Sequence, residues 1–203
     1  MEFFYGKIVK NKALVKHMIE YLLLGASYLV GTIMTARFVG LLHGTHIQQH
    51  GSGNAGARNA GRLLGKKAFV LTFFGDAIKG TAPVLAGKAA GFPTEWQLLM
   101  LGAAIIGHIF PVWHRFKGGK GMSTFVGGML AFDPLLFSVF SATFAVLYAA
   151  VRSFTVAGLS AVACMPALVS FFGYSAAAAG ISAVLSVLIL YAHRDNMKEK
   201  LIR

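Results

Sequence analysis

Long apolar runs, separated by short loops that hold most of the charge, constrain this chain more than any other feature. Runs at about 18–42, 68–86, 96–113, 134–151, 154–172 and 174–193 each reach about 18 residues or more. As helix, that is enough to cross a hydrocarbon core roughly 30 Å thick. The chain is 56% hydrophobic and 13% charged, about half the charged share of a soluble domain. The short alternating segments of a transmembrane barrel are absent. The reading is an all-α integral membrane protein.

The formal net charge of +12 would suit a nucleic-acid binder, but its distribution argues otherwise. The basic residues sit between apolar runs, where membrane orientation and anionic ligands account for them. Membrane lipids are expected neighbours and nucleic acid is not. Cys164 is the single cysteine, which rules out an intrachain disulfide. The first run is too long for a cleavable signal core and lacks a small-residue cleavage site, so it is read as a span. Ahead of it, residues 1–17 form a tail with Lys7, Lys10, Lys12 and Lys16 beside Phe3, Phe4 and Tyr5. Such a tail suits either an interfacial amphipathic stretch or loose order. Residues 18–196 read as one membrane domain and 197–203 as a basic C-terminal tail.

Parity of crossings sets the helix count. The polar loop 43–67, the lysine–glycine loop, Arg152 and the C-terminal tail together hold twelve Lys and Arg, against five for the N-terminal tail and Lys88. The richer side is expected to be cytoplasmic. Returning from Met122 to that side at His193 takes an even number of crossings, so 122–132 must be one of them. That stretch spans only about 16 Å as helix, roughly half the hydrocarbon core. It ends at Asp133-Pro134, a helix stop followed by a helix start. A seven-helix bundle with a short fourth helix follows.

Three polar blocks carry the candidate chemistry. Gly51-Ser52-Gly53-Asn54-Ala55-Gly56-Ala57-Arg58-Asn59-Ala60-Gly61-Arg62 fits G-x-G-x-x-G literally, but no strand precedes it, so a dinucleotide fingerprint is not supported. Its glycines free the backbone, Ser52, Asn54 and Asn59 offer hydrogen bonds, and Arg58 and Arg62 offer forks suited to phosphate. The second block, from Gly107 to Thr124, passes His108 and Pro111 and ends in Lys117-Gly118-Gly119-Lys120-Gly121. Glycine amides, two lysines and the N-terminus of the next helix make a phosphate cradle at a membrane surface. The third is His193-Arg194-Asp195-Asn196, where the last run ends. Within the second run, Asp76 and Lys79 share a helix face, as a structural ion pair or as support for the site. His108 reads either as a satisfied bundle histidine or as lining the site. His43, His46 and His50 lack an accompanying carboxylate or cysteine, so no metal is assigned.

In order and spacing, G-S-G-N-x-G-A-x-N-x-x-R, G-H-x-F-P-x-x-x-x-F-K-G-G-K-G-x-x-T and H-R-x-N resemble the three signature motifs of the bacterial acyl-phosphate:glycerol-3-phosphate acyltransferases (PlsY), over about 22–196. The resemblance implies a seven-helix inner-membrane enzyme of phospholipid biosynthesis, its C-terminus and active-site loops cytoplasmic, working as a monomer without a cofactor. It would move a fatty acyl group from acyl phosphate to the sn-1 hydroxyl of glycerol 3-phosphate, giving lysophosphatidic acid and phosphate. Ser52, Arg62, Lys120, His193 and Asn196 match the family's catalytic and substrate-phosphate positions. Gly51, Gly53, Asn54, His108, Lys117, Gly118, Gly119, Gly121 and Thr124 match substrate-binding positions, with Asp76 and Lys79 supporting. The chain departs from the family pattern at Ala55 (usually Pro), at Arg58 (usually Thr) and at Gly31-Thr32-Ile33-Met34, where a proline is usual. The same residues also suit a divergent paralogue, weakly active or acting on another polyol phosphate, or an organophosphate transporter. The internal repeat common in transport folds is missing here.

Overall fold

The computed structural model describes residues 2–195, with side chains from Leu14 onward. All regular structure among them is helical. α1 (Glu2–Gly31) takes in the N-terminal tail and, with α2 (Thr35–Leu42), the first run, and α3 (Ala57–Leu64) lies in the polar loop. The other runs are α4 (Lys66–Ala89), α5 (Thr94–Ile109), α6 (Met122–Phe132), α7 (Pro134–Val151), α8 (Phe154–Phe171) and α9 (Ala176–Ala192). Five segments are long and apolar enough to cross a membrane, and α6 and α9 are shorter apolar helices. Counting α1 and α2 as one interrupted span, the bundle has the seven members expected, with α6 the short fourth.

The first run differs from the continuous helix its hydropathy implied, because it breaks at Thr32-Ile33-Met34. The break frees the Ile33 carbonyl, which Lys79 Nζ on α4 takes as an acceptor. At membrane depth a bare carbonyl costs several kcal/mol, so a break needs such a partner.

Side-chain contacts sort the loops onto two ends. At one end, Asp133 caps α7 by accepting from the N–H groups of Leu135 (2.8 Å) and Leu136 (3.1 Å). It also accepts from Tyr174 Oη, which precedes α9, at 2.8 Å. Ser175 there donates to Glu95 at the start of α5. Arg58, at the other end, donates to Thr155 Oγ1 at the start of α8 (2.7 Å). The 11-residue α6 therefore counts as a crossing.

It fits because small residues let neighbouring backbones approach. A Cβ on Gly80 of α4 would strike the Thr124 carbonyl, and one on Gly127 the Ala77 carbonyl. Thr81 Oγ1 adds a bond to the Gly127 carbonyl at 2.9 Å. Such contacts are how helices associate where lipid offers no hydrophobic driving force. Around them Leu98, Leu101, Ile105, Phe125, Met129 and Leu136 are fully buried, forming the core that fixes the polar ends.

Candidate active site

The first polar block is ordered by one side chain. Asn59 of α3 is buried. Its Nδ2 donates to the carbonyls of Ile47 and His50, both at 3.0 Å, and its Oδ1 accepts from the Ser52 N–H at 3.0 Å. Gly51 and Gly53 sit at φ of 62° and 68°, a conformation that favours glycine. A small cluster of Met34, Val39, Ile47, Ala55 and Ala60 supports the loop from below. Ser52 stands exposed at its tip, Asn54 is half-buried, and Arg58 and Arg62 lie one turn apart on α3, both exposed.

The second block doubles back on the helix it leaves. The Gly118 N–H donates to the Ile109 carbonyl (3.1 Å) and the Gly119 N–H to the His108 carbonyl (3.0 Å). Lys117-Gly118-Gly119-Lys120-Gly121 is thereby laid against the end of α5. Arg115 and Phe116 hold the turn with φ of 52° and 59°, unusual for residues other than glycine. Arg37 Nη1 donates to His114 Nδ1 at 2.7 Å, and Gln48 Nε2 to the Lys117 carbonyl at 2.9 Å. These bonds tie the second block to α2 and to the first loop. Lys117 is exposed and Lys120 half-buried. Gly121, at φ 79°, opens α6.

The third block begins where α9 ends. His193 Nδ1 donates to the Ile189 carbonyl at 2.8 Å, so in the neutral ring Nε2 is the bare acceptor. Burial holds the His193 pKa below the ordinary histidine range; the bond to Ile189 opposes this, while Lys120 and Arg58 reinforce it. His193, Lys120 and Arg58 come one from each block, so the three blocks meet electrostatically. Of the two loops, neither 43–65 nor 107–124 contains a carboxylate. The two loops therefore bring cations and no carboxylate toward a neutral histidine.

Other expected site residues stand behind this surface. His108, Thr124, Gly119 and Gly121 are buried, the first two at 3% and 0% exposure. The His108 and Thr124 side chains belong to the interior beneath the loop. Asp76 and Lys79 form a buried ion pair at 2.7 Å. Asn196 lies outside the described residues. Two contributors were not picked out as site residues from the sequence. Asn59 reads from the sequence only as one of several hydrogen-bonding residues, and Arg58 as a fork suited to phosphate and a departure from the family pattern. In the structure Arg58 and Arg62 sit i, i+4 on one face of α3, and nothing in the sequence points to Thr155.

Fold and site together define a polytopic membrane protein with a glycine-rich, cationic site at one end of its bundle. The family model for glycerol-3-phosphate acyltransferase matches residues 21–202. "Glycerol-3-phosphate acyltransferase 1" of Bacillus cereus is 45% identical over 177 residues, covering 87% of this chain and 97% of that one. Its namesake in Desulfitobacterium hafniense is 37% identical over 185 residues, covering 91% and 92%. Among solved structures, PlsY, described as an integral membrane glycerol 3-phosphate acyltransferase, superposes in its glycerol 3-phosphate form with a TM-score of 0.83. That match has 32% identity and covers 90% of this chain and 92% of that one. The lysophosphatidic acid form gives a TM-score of 0.81. The chain belongs to the glycerol-3-phosphate acyltransferase family.

Proposed function

We propose that this protein transfers a fatty acyl group from acyl phosphate to the sn-1 hydroxyl of glycerol 3-phosphate, at the cytoplasmic face of a bacterial inner membrane. The observation that carries the reading is that Lys120 and Arg58, one from each loop, both bear electrostatically on His193, while Gln48 of the first loop holds the Lys117 carbonyl of the second at 2.9 Å. An acyl phosphate is already activated, so the protein's task is to hold two anionic headgroups together and stabilise charge. Arg62 and Lys120 neutralise the phosphates, and Ser52 and Asn196 orient them.

His193 Nε2 accepts a hydrogen bond from the attacking hydroxyl. As the new ester C–O bond forms, the acyl carbon's bond to the phosphate oxygen breaks. The hydroxyl proton passes to Nε2, or directly to an oxygen of the departing phosphate. No acyl-enzyme is needed. The acyl chain stays at lipid depth between helices, and the site end faces the cytoplasm in keeping with its excess of Lys and Arg.

Purified protein given both substrates is expected to release phosphate only when both are present, and Lys120→Ala and Ser52→Ala to abolish release. Donor hydrolysis that ignores the acceptor would point instead to a divergent paralogue, and flux through proteoliposomes without acyl transfer to a transporter. Cys164 is exposed, so topology is tested in a Cys164→Ala background. There Lys117→Cys and Asn196→Cys should label from the same, cytoplasmic, side.

A further inference from the structure

Beneath the lysine–glycine loop lies a polar cluster that the transfer reaction, as described, does not use. Lys79 Nζ meets Asp76 Oδ1 at 2.7 Å, His108 Nδ1 at 3.1 Å and the Ile33 carbonyl in the break between α1 and α2. An ammonium has three protons and no lone pair, so in its contact with His108 Nδ1 the ring nitrogen must be the acceptor. The ring proton of a neutral His108 then resides on Nε2. The groups facing this ring are Asp76 (Oδ1 at 3.9 Å from Nδ1) and Lys79 from α4, and the backbone of Gly119 from the loop. A Cβ added at Gly119 would fall on Nε2, with Cε1 at 2.8 Å and Cδ2 at 3.0 Å. Glycine thus lets the loop backbone come up against the Nε2 edge of the ring, where any side chain would clash.

We propose that Lys79 is a positioning residue: it holds His108 in the Nε2–H form, aimed past Gly119 at an anionic oxygen bound in the lysine–glycine cradle. The same ammonium holds the α1–α2 break, so the geometry of the first span and the polarity of the cradle depend on one side chain. The two histidines then have complementary duties. His193 presents a bare Nε2 that accepts, and His108 an Nε2–H that donates. The duty of His108 rests on the acyltransferase reading, whereas its tautomer can be read without turnover.

The test is nuclear magnetic resonance of the full chain, labelled with ring-15N histidine in detergent micelles, with His108 assigned by comparison with His108→Gln. The expected result is a neutral His108 protonated on Nε2, whose signal moves when inorganic phosphate is added. In the paired variant Asp76→Leu/Lys79→Met, which removes both buried charges together, the tautomer preference should disappear. Phosphate release gives the second measurement. The paired variant should lower kcat about tenfold with His108 present, but about twofold or less in a His108→Gln background, where the amide supplies a fixed donor. A purely structural Lys79 would give equal losses in both backgrounds. That equality would overturn the proposal, as would a wild-type ring protonated on Nδ1 or on both nitrogens, or a signal indifferent to phosphate. If phosphate release is absent from the wild type while the tautomer and its phosphate response are as expected, the reaction assigned above fails and the positioning stands.

Discussion

Replacing Asn59 with alanine removes three hydrogen bonds at 3.0 Å and leaves two loop carbonyls and an N–H without their partner. At about 1 kcal/mol net for each bond, the loss is roughly 3 kcal/mol. Because those bonds close the loop on itself, the loss falls on loop order more than on the bundle, whose core lies among other helices. Converted at 1.4 kcal/mol per tenfold, it lowers the ordered fraction by as much as about a hundredfold. KM for glycerol 3-phosphate, measured with saturating acyl phosphate, should rise by at least tenfold, on the order expected when a few kcal/mol of preorganisation is lost. Thermal unfolding of the bundle should move far less. Asn59→Asp sharpens the test, because it keeps the acceptor for the Ser52 N–H but turns carboxylate oxygen toward the carbonyls of Ile47 and His50. Aspartate should therefore be worse than alanine, although it is closer in shape. A KM within twofold of wild type for Asn59→Ala would refute the reasoning and show that the apolar cluster under the loop suffices to order it.

Other expectations follow from the same contacts. Gly119→Ala puts a Cβ into the His108 ring and should lower kcat by more than tenfold, comparable to the loss of a single transition-state contact, while a folded protein is retained by gel filtration in detergent. His193 is held neutral below the ordinary histidine range by burial first and by Lys120 and Arg58 besides. The acidic limb of kcat/KM should accordingly lie below pH 6.5, near the ordinary histidine value, and activity should fall as pH drops through it. Arg58→Thr removes one of the cations and should shift that limb to higher pH; an unmoved limb, or one moved downward, would contradict the placement. At the opposite end, the Tyr174 phenol is pushed up to about 12 by burial and by Asp133. Tyr174→Phe should destabilise the protein by about 1 kcal/mol and leave KM for glycerol 3-phosphate unchanged, since Tyr174 bonds to Asp133 at the end of the bundle away from the site.

The parts legible in the sequence were those with a local cause. Apolar run length gave the spans, and Asp133-Pro134 marked the boundary between α6 and α7 because a carboxylate cap and a proline act on the next turn. Charge parity implied that the 11-residue α6 crosses, although its length alone argued against a span. The three blocks were recognisable because glycine, lysine and arginine in short loops beside lipid have few uses other than holding an anion. What stayed hidden were pairings between distant positions: Lys79 with the Ile33 carbonyl, Arg58 with Thr155, Gln48 with the Lys117 carbonyl. In each the acceptor is a backbone carbonyl or a hydroxyl, groups that nearly every residue or helix can offer, so the donor's sequence carries no address.

Arg58 shows what this means for reading a family member that departs from its pattern. As an isolated substitution in a headgroup loop, an extra arginine reads only as added charge. In the structure it has two effects, since Nη1 bonds to Thr155 Oγ1 at 2.7 Å and its charge bears on His193. The first ties α3 to the start of α8. The second opposes protonation of the candidate base, which favours turnover at lower pH. Arg58→Lys separates them. A lysine retains the charge but lacks the fork that reaches a hydroxyl while leaving other N–H groups free. If charge alone matters, Arg58→Lys should keep the acidic limb where it is while KM for glycerol 3-phosphate stays within about twofold of wild type, the scale of a surface substitution that breaks no needed contact. If the tie to α8 matters as well, KM should rise with the limb unmoved. A limb that moves in Arg58→Lys as far as in Arg58→Thr would sink the charge account, because the two variants share only the loss of the bond to Thr155.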